Sequence, residues 1–149
     1  MMPEFNIRPL QKDDFEAWNR LWQGYLTFYE ASLSDEVTHT TFERLCDPKT
    51  TDQNALVAEQ DGALIGLVHF IFHAHNWQTA RVTYLQDLYA LPEARGIGLG
   101  RALIESVYAA ADANGTPSVY WMTQDFNAEA RKLYDRVGTL TPFIKYTRA

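Results

Sequence analysis

The stretch ARGIGLG, Ala94 to Gly100, constrains this chain more than any other. Three glycines at alternate positions stand between Arg95 and Arg101. Glycine serves where backbone must take a left-handed turn or come very close to something. An alanine-rich helical stretch, GRALIESVYAAADANG, begins inside the run. A glycine turn at a helix N-terminus offers outward N–H groups and the positive end of the helix dipole, which suits an anion. With an arginine on each side, a phosphate or pyrophosphate is the group that fits.

Two common phosphate patterns fail here. A dinucleotide fingerprint needs G-x-G-x-x-G directly after a strand. Its third glycine position falls on Arg101, and LPEAR separates the preceding strand from Gly96, although Asp125 lies past the next strand. A Walker loop needs G-x-x-x-x-G-K-[ST], and no such run occurs.

The remaining patterns predict one α/β domain over residues 1–149. IRPL opens as a strand. DDFEAWNRLWQGYLTFYEA has Trp18, Leu21, Trp22, Tyr25, Leu26 and Tyr29 at helical spacing, with Asp13 and Asp14 as caps. THTTFERL reads as a second helix, with Thr40 and Glu43 at capping-box spacing. ALVAEQ-DG-ALIGLVHFIFH reads as a hairpin turning at Asp61-Gly62. RVTYLQDLYAL is a further strand, and SVYWMTQ another. NAEARKLYDRVG is a helix begun by Asn127 and stopped by Gly138, and TPFIKYT is a last strand. The order predicts a mixed sheet with helices on both faces.

With 46% hydrophobic and 21% charged residues the chain can bury a core. No apolar run is long enough to span a bilayer, and MMPEFNIRPL lacks the pattern of a signal peptide. Cys46 is the only cysteine, which excludes an internal disulfide and a multi-cysteine zinc site. The simplest reading is a cytoplasmic protein. A net charge of −6 with no basic cluster argues against nucleic acid and mildly for a cationic ligand.

A third phosphate pattern, [QR]-x-x-G-x-[GA], fits Arg95-Gly96-Ile97-Gly98-Leu99-Gly100 at every position. This run resembles the pyrophosphate loop of the GNAT acetyltransferase superfamily. YLQDLYALPEARGIGLGRALI is similar to the strand, loop and helix that carry acetyl-CoA there, and NAEARKLYDRVG to the helix that follows. Those two segments are similar to ones of spermidine/spermine and thialysine N-acetyltransferases. LWQGYLTFY and TPFIKY resemble a histone/polyamine-type branch. The likeness spans essentially the whole chain and implies a mostly antiparallel sheet, open between two central parallel strands.

The resemblance implies acetyl transfer from acetyl-CoA to a primary amine by direct attack on the thioester. Leu88, Tyr89 and Ala90 match the strand backbone that holds the pantetheine arm, with an N–H of Tyr89 or Ala90 polarising the thioester oxygen. Arg95, Gly96, Ile97, Gly98, Leu99, Gly100 and Arg101 match the pyrophosphate loop. Tyr134 matches the proton donor to the departing thiolate, and Asn127 a cofactor contact. Many relatives carry a glutamate base where Gln86 stands, and glutamine cannot act as a base. Asp87, Glu30 or a water chain are the candidates. Strand alternation puts Asp87 on the face opposite Gln86 unless a bulge intervenes.

For the acceptor, Trp22, Tyr25, Tyr29 and Glu30 on the first helix, Asp87, and Trp77 in a loop are candidate walls. Aromatic faces and a carboxylate attract alkylammonium groups. His73 and His75 share a strand face, but no third metal ligand is evident, so no metal is expected. The acceptor is a polyamine, an amino acid or a lysine of a basic peptide. A homodimer joined through the C-terminal strand is expected from the family. The alternatives are a non-catalytic acyl-CoA sensor on the same fold and a nucleotide-binding regulatory domain.

Overall fold

Apolar and β-branched residues concentrate in the middle of the chain, and the three longest strands of the sheet form there. The computed structural model describes residues 4–149, so the first three residues of the expected 1–149 domain lie outside the described residues. Five strands are β1 (Asn6–Pro9), β2 (Gln53–Gln60), β3 (Ala63–His73), β4 (Val82–Ala90) and β5 (Val119–Tyr120). Among the described residues the α-helices are α1 (Phe15–Phe28), α2 (Asp35–Cys46), α3 (Leu99–Asn114) and α4 (Ala128–Val137). The strands lie in chain order across one sheet. Neighbours are antiparallel except the last pair, where β5 runs parallel to β4. None of the helices in the described residues is long and apolar enough to cross a membrane.

Alternation along β3 sorts the core into two layers. Leu67 points to the α1 and α2 side, where it packs with Trp18, Leu21, Trp22 and Phe42. Val68 and Phe70 point the other way, against Leu99, Leu103, Ile104 and Val107 of α3. Trp18, Leu21, Leu67, Leu103 and Ile104 are fully buried. Each such side chain contributes on the order of 1.5–3 kcal/mol through burial. Asp61 and Gly62 both take positive φ, the two-residue turn expected between β2 and β3.

Helix starts differ from expectation. α2 begins at Asp35, because the Ser34 side chain accepts the Val37 N–H at 3.2 Å. That puts Thr40 and Glu43 inside the helix rather than at its cap. Asp14 precedes α1 but its side chain makes no cap bond to that helix. Its carboxylate accepts the Gln11 N–H at 2.7 Å and both terminal nitrogens of Arg8 at 2.8 and 3.0 Å. Arg8 also reaches Glu59 of β2. This buried pairing holds the Asp14 carboxyl below its usual range and fixes where α1 leaves the sheet. Asn127 precedes α4 without a side-chain cap; its amide donates to Thr123 Oγ1 at 3.4 Å.

The expected last strand does not form: residues 139–149 have no strand pairing. A strand there needs an edge to join, and β5 has only two residues. Phe143, Ile144 and Tyr146 are consequently exposed.

Candidate active site

The glycine run does two different jobs. Gly96 and Gly98 have φ of 83° and 82°, and nothing lies within 4 Å of a Cβ built on either. Glycine is required at both by the left-handed backbone, not by crowding. Gly98 ends the loop and starts α3, whose first helical bond runs from the Ala102 N–H to the Gly98 carbonyl at 3.0 Å. The N–H groups of Leu99, Gly100 and Arg101 therefore have no partner within the helix, which leaves donors for an anion. Gly100 differs: a Cβ there would stand 3.1 Å from Leu133 of α4, so its bareness lets two helices approach. Arg101 lies on the exposed face, paired with Glu105 at 2.8 Å. Arg95 folds back so that its Nε–H donates to the Ala90 carbonyl at 3.3 Å. The cradle of bare N–H groups with a cation at each end fits a pyrophosphate.

The strand leading into this loop is open on one side. β5 pairs with β4 only at Thr83–Val119 and Tyr84–Tyr120, after which the two strands part. The Leu91 N–H donates to the Ile65 carbonyl at 2.9 Å, which fixes the phase of the β3–β4 ladder. By alternation, Leu67–Tyr89 and His69–Asp87 are hydrogen-bonded pairs, while the backbone groups of Leu88 and Ala90 face the open edge. The expected Tyr89 N–H is thus committed to β3, and Leu88 and Ala90 present the free donors. The Tyr89 side chain lies across α1 at Gly24, where a Cβ would meet its hydroxyl at 2.6 Å.

Register along the same strand decides where the carboxylate goes. His69 of β3 pairs with Asp87, but the next residue, Phe70, pairs with Leu85. Gln86 is the extra residue of a β-bulge, which breaks the alternation. Leu85 packs on the α3 side, while Asp87 turns with His69 to the α1 side. Gln86 and Asp87 consequently open into the same cleft, instead of lying on opposite faces.

Two adjoining clefts meet at Tyr25, Tyr29 and Gln86. One, of about 420 Å³, lies between the sheet and α1 and α2, with Trp22, Leu33, Val37, His69 and Asp87 among its walls. The other, of about 320 Å³, runs between the parted strands, past Leu88, Trp121, Tyr134 and Lys145. Trp22, Tyr25, Tyr29, Gln86, Asp87, Leu88 and Tyr134 thus come together. Two expected acceptor residues do not join them. Glu30 is exposed, at the end of α1 with a left-handed φ of 55°. Trp77 is 84% exposed in the β3–β4 loop, with its ring against His75. His75 lies beyond β3, and His73 bonds the Tyr120 hydroxyl at 2.7 Å, so the two histidines share no strand face.

Sequence reasoning missed the group that touches Asp87. His69, 4% exposed, has its Nδ1 2.9 Å from Asp87 Oδ2, and its Nε2 accepts the Trp18 indole N–H at 3.0 Å. The only available signal was one polar residue in the apolar run LIGLVHFIF. Burial, and next the charge of Asp87, push the Tyr25 phenol well above its ordinary range. Tyr29 is raised by the same two causes. Tyr134 is pushed up to about 12, mainly by burial, so it keeps its proton at neutral pH.

Comparison with known proteins agrees with this architecture. Residues 15–139 match the family model described as Acetyltransferase (GNAT) family. The chain is 40% identical to the D-amino-acid N-acetyltransferase of Saccharomyces cerevisiae over 143 residues, 95% of this chain and 89% of that one. It is 32% identical over 123 residues to the thialysine N-epsilon-acetyltransferase of Bos taurus, covering 76% of this chain and 71% of that one. Its fold matches AAC(6')-Iy in complex with a CoA-linked bisubstrate analog, with a TM-score of 0.85 at 19% identity over 98% of both chains. The chain belongs to the GNAT family of acetyltransferases, enzymes whose acetyl donor is acetyl-CoA.

Proposed function

We propose that this chain is one acetyltransferase domain that acetylates the primary amine of a small amino-acid-type acceptor, with Asp87 as the base. The single observation that carries this reading is the bulge at Gln86, which turns a carboxylate only 8% exposed into an aromatic-walled cleft. In this reading the loop from Arg95 to Arg101 holds the pyrophosphate, and the open edge at Leu88 and Ala90 holds the pantetheine arm. Acetyl-CoA supplies an acetyl group activated as a thioester. The N–H groups of Leu88 and Ala90 are preorganised donors for an oxygen that gains negative charge. An aliphatic ammonium has a pKa of about 10.4, so the amine must lose a proton before it is nucleophilic. Asp87 takes that proton, directly or through one water. Tyr134 holds the proton needed by the leaving sulfur, and its elevated pKa keeps it in the donating form.

The amino-acid class is favoured by charge. Asp87 is the one carboxylate among the walls of the larger cleft, whose far end is lined by Leu33, Val37 and Leu45. A polyamine would bury its second ammonium there unpaired, which is costly. Lys145, on the adjoining cleft, offers a partner to a carboxylate. The relatives named above act on D-amino acids and on thialysine, both of amino-acid type. The exposed Phe143, Ile144 and Tyr146 further support pairing of two copies through residues 139–149, which sedimentation of a chain ending at residue 138 would test.

A thiol-release assay with acetyl-CoA decides the function. The panel holds D- and L-amino acids with apolar side chains, thialysine, spermidine and a histone-tail peptide. Turnover confined to amino-acid-type amines is the expected result. Turnover on spermidine or the peptide instead would overturn the acceptor class. Acetyl-CoA binding without turnover on any amine would overturn the enzyme reading in favour of a sensor.

A further inference from the structure

We infer that His69 is a positioning residue for Asp87, with its tautomer fixed by Trp18; the inference rests on the reading of Asp87 as the base. His69 stands directly across the ladder from Asp87, immediately before the bulge. Its ring is enclosed by Trp18 and Trp22, with centroids 6.0 and 5.1 Å away. An indole nitrogen can only donate. The Trp18 N–H at 3.0 Å therefore requires a lone pair on His69 Nε2. The ring proton of the neutral imidazole then sits on Nδ1, 2.9 Å from Asp87 Oδ2, and donates to it.

Three consequences follow from this order. His69 cannot take a proton at Nε2 without breaking the bond from Trp18, so it does not compete with Asp87 as the base. Its Nδ1–H is bonded to Oδ2, and the carboxylate keeps further lone pairs with which to accept a proton. The bond also holds the carboxylate in one rotamer on a bulged stretch of strand, where the ladder itself does not. A helix residue, Trp18, thereby sets the geometry of a strand residue through the histidine between them.

The test uses the full chain in five forms: wild type, His69→Asn, His69→Leu, Trp18→Phe and Asp87→Asn. Asparagine places an N–H donor near the position of the imidazole Nδ1, whereas leucine fills the space without a donor. Circular dichroism and acetyl-CoA binding report which variants fold. A displaced base costs on the order of 10²-fold in rate. His69→Leu is expected to lower kcat by about that factor with the KM for acetyl-CoA unchanged, and His69→Asn to recover most of the loss. Independently of activity, 15N-histidine NMR of the wild type should show His69 protonated at Nδ1 alone at neutral pH. In Trp18→Phe the same probe should show a tautomer mixture. A folded His69→Leu that keeps wild-type kcat while Asp87→Asn loses it would overturn the positioning role alone. Equal losses in His69→Asn and His69→Leu would also overturn it, as would a proton on Nε2 in the wild type. The wild-type NMR result can overturn the inference even where a variant does not fold. An active Asp87→Asn would overturn the base reading and the inference with it.

Discussion

In the mechanism proposed above, the two ends of β4 serve the same reaction by different means. Toward Ala90 the chain works with backbone: free N–H groups on an open strand edge, two left-handed glycines, and the bare start of α3. Toward Leu85 it works with side chains brought from three elements: Asp87 from β4, His69 from β3 and Trp18 from α1. Backbone donors suit a partner that is the same in every turnover, because they read charge and shape and little else. Side chains suit a partner that differs between enzymes, because they can be exchanged without disturbing the ladder. The border between the two regimes falls just past the bulge at Gln86, between Asp87 and Leu88.

The largest effect that separates them is expected at the side-chain end. Asp87→Asn keeps volume and a hydrogen-bonding oxygen but removes the base, so kcat should fall on the order of 10²–10⁴-fold. The KM for acetyl-CoA should not move, because the backbone end is untouched. Steady-state kinetics in both substrates check this, and a large rise in that KM would show that the two ends are not separable.

Tyr134→Phe comes next, with an expected loss of about 10²-fold in kcat, the lower end of what a proton donor supplies. Burial raises this phenol from 10.0 to about 12, and Tyr25 is raised likewise. A tyrosine whose folded pKa lies above its unfolded one contributes stability that is intact below the unfolded value and lost as pH rises through the folded one. The wild type should therefore begin to lose stability above pH 10.0 and lose more toward about 12. Tyr134→Phe should flatten that alkaline decline in a thermal-melt series. An alkaline limb unchanged by the substitution would mean that Tyr134 is solvated.

How much of each end was legible in the sequence follows from the same division. The glycine turn was readable because it is local: Gly96 and Gly98 need their φ wherever the chain goes, and α3 must begin beside them. The aromatic wall was readable too, since Trp22, Tyr25 and Tyr29 share a face at helical spacing. The position of Asp87 was not. It depends on one inserted residue in a register, and no pattern within a single strand reports its pairing. His69 was illegible for a related reason, because its value comes from Trp18, fifty-one residues away. The last strand failed where the alternation in TPFIKYT lacked a neighbouring edge. The start of α2 was misread because Thr40 and Glu43 match a capping pattern inside a helix already begun at Ser34.

At the backbone end, Gly98→Ala should weaken acetyl-CoA binding with little effect on kcat at saturation. Holding alanine in the left-handed region costs about 1–2 kcal/mol, roughly a 5- to 30-fold loss if the loop relaxes when empty. Calorimetric titration with CoA checks the affinity, and the melting temperature shows how much of the cost the free protein carries.

Gly100→Ala should have the smallest effect, and it sharpens the comparison most. Gly98 and Gly100 belong to one motif, yet only the first has positive φ. At Gly100 a new methyl meets a terminal carbon of Leu133, 3.1 Å away, and a leucine end can shift by a few tenths of an ångström. Alanine also gains up to about 1 kcal/mol over glycine within a helix. The two contributions oppose each other, so stability should change by less than about 1 kcal/mol. If Gly100 serves only the contact between α3 and α4, CoA affinity will match wild type. If affinity falls as far as in Gly98→Ala while the melting temperature holds, Gly100 is bare for the ligand's sake. The backbone end would then extend into the first turn of the helix.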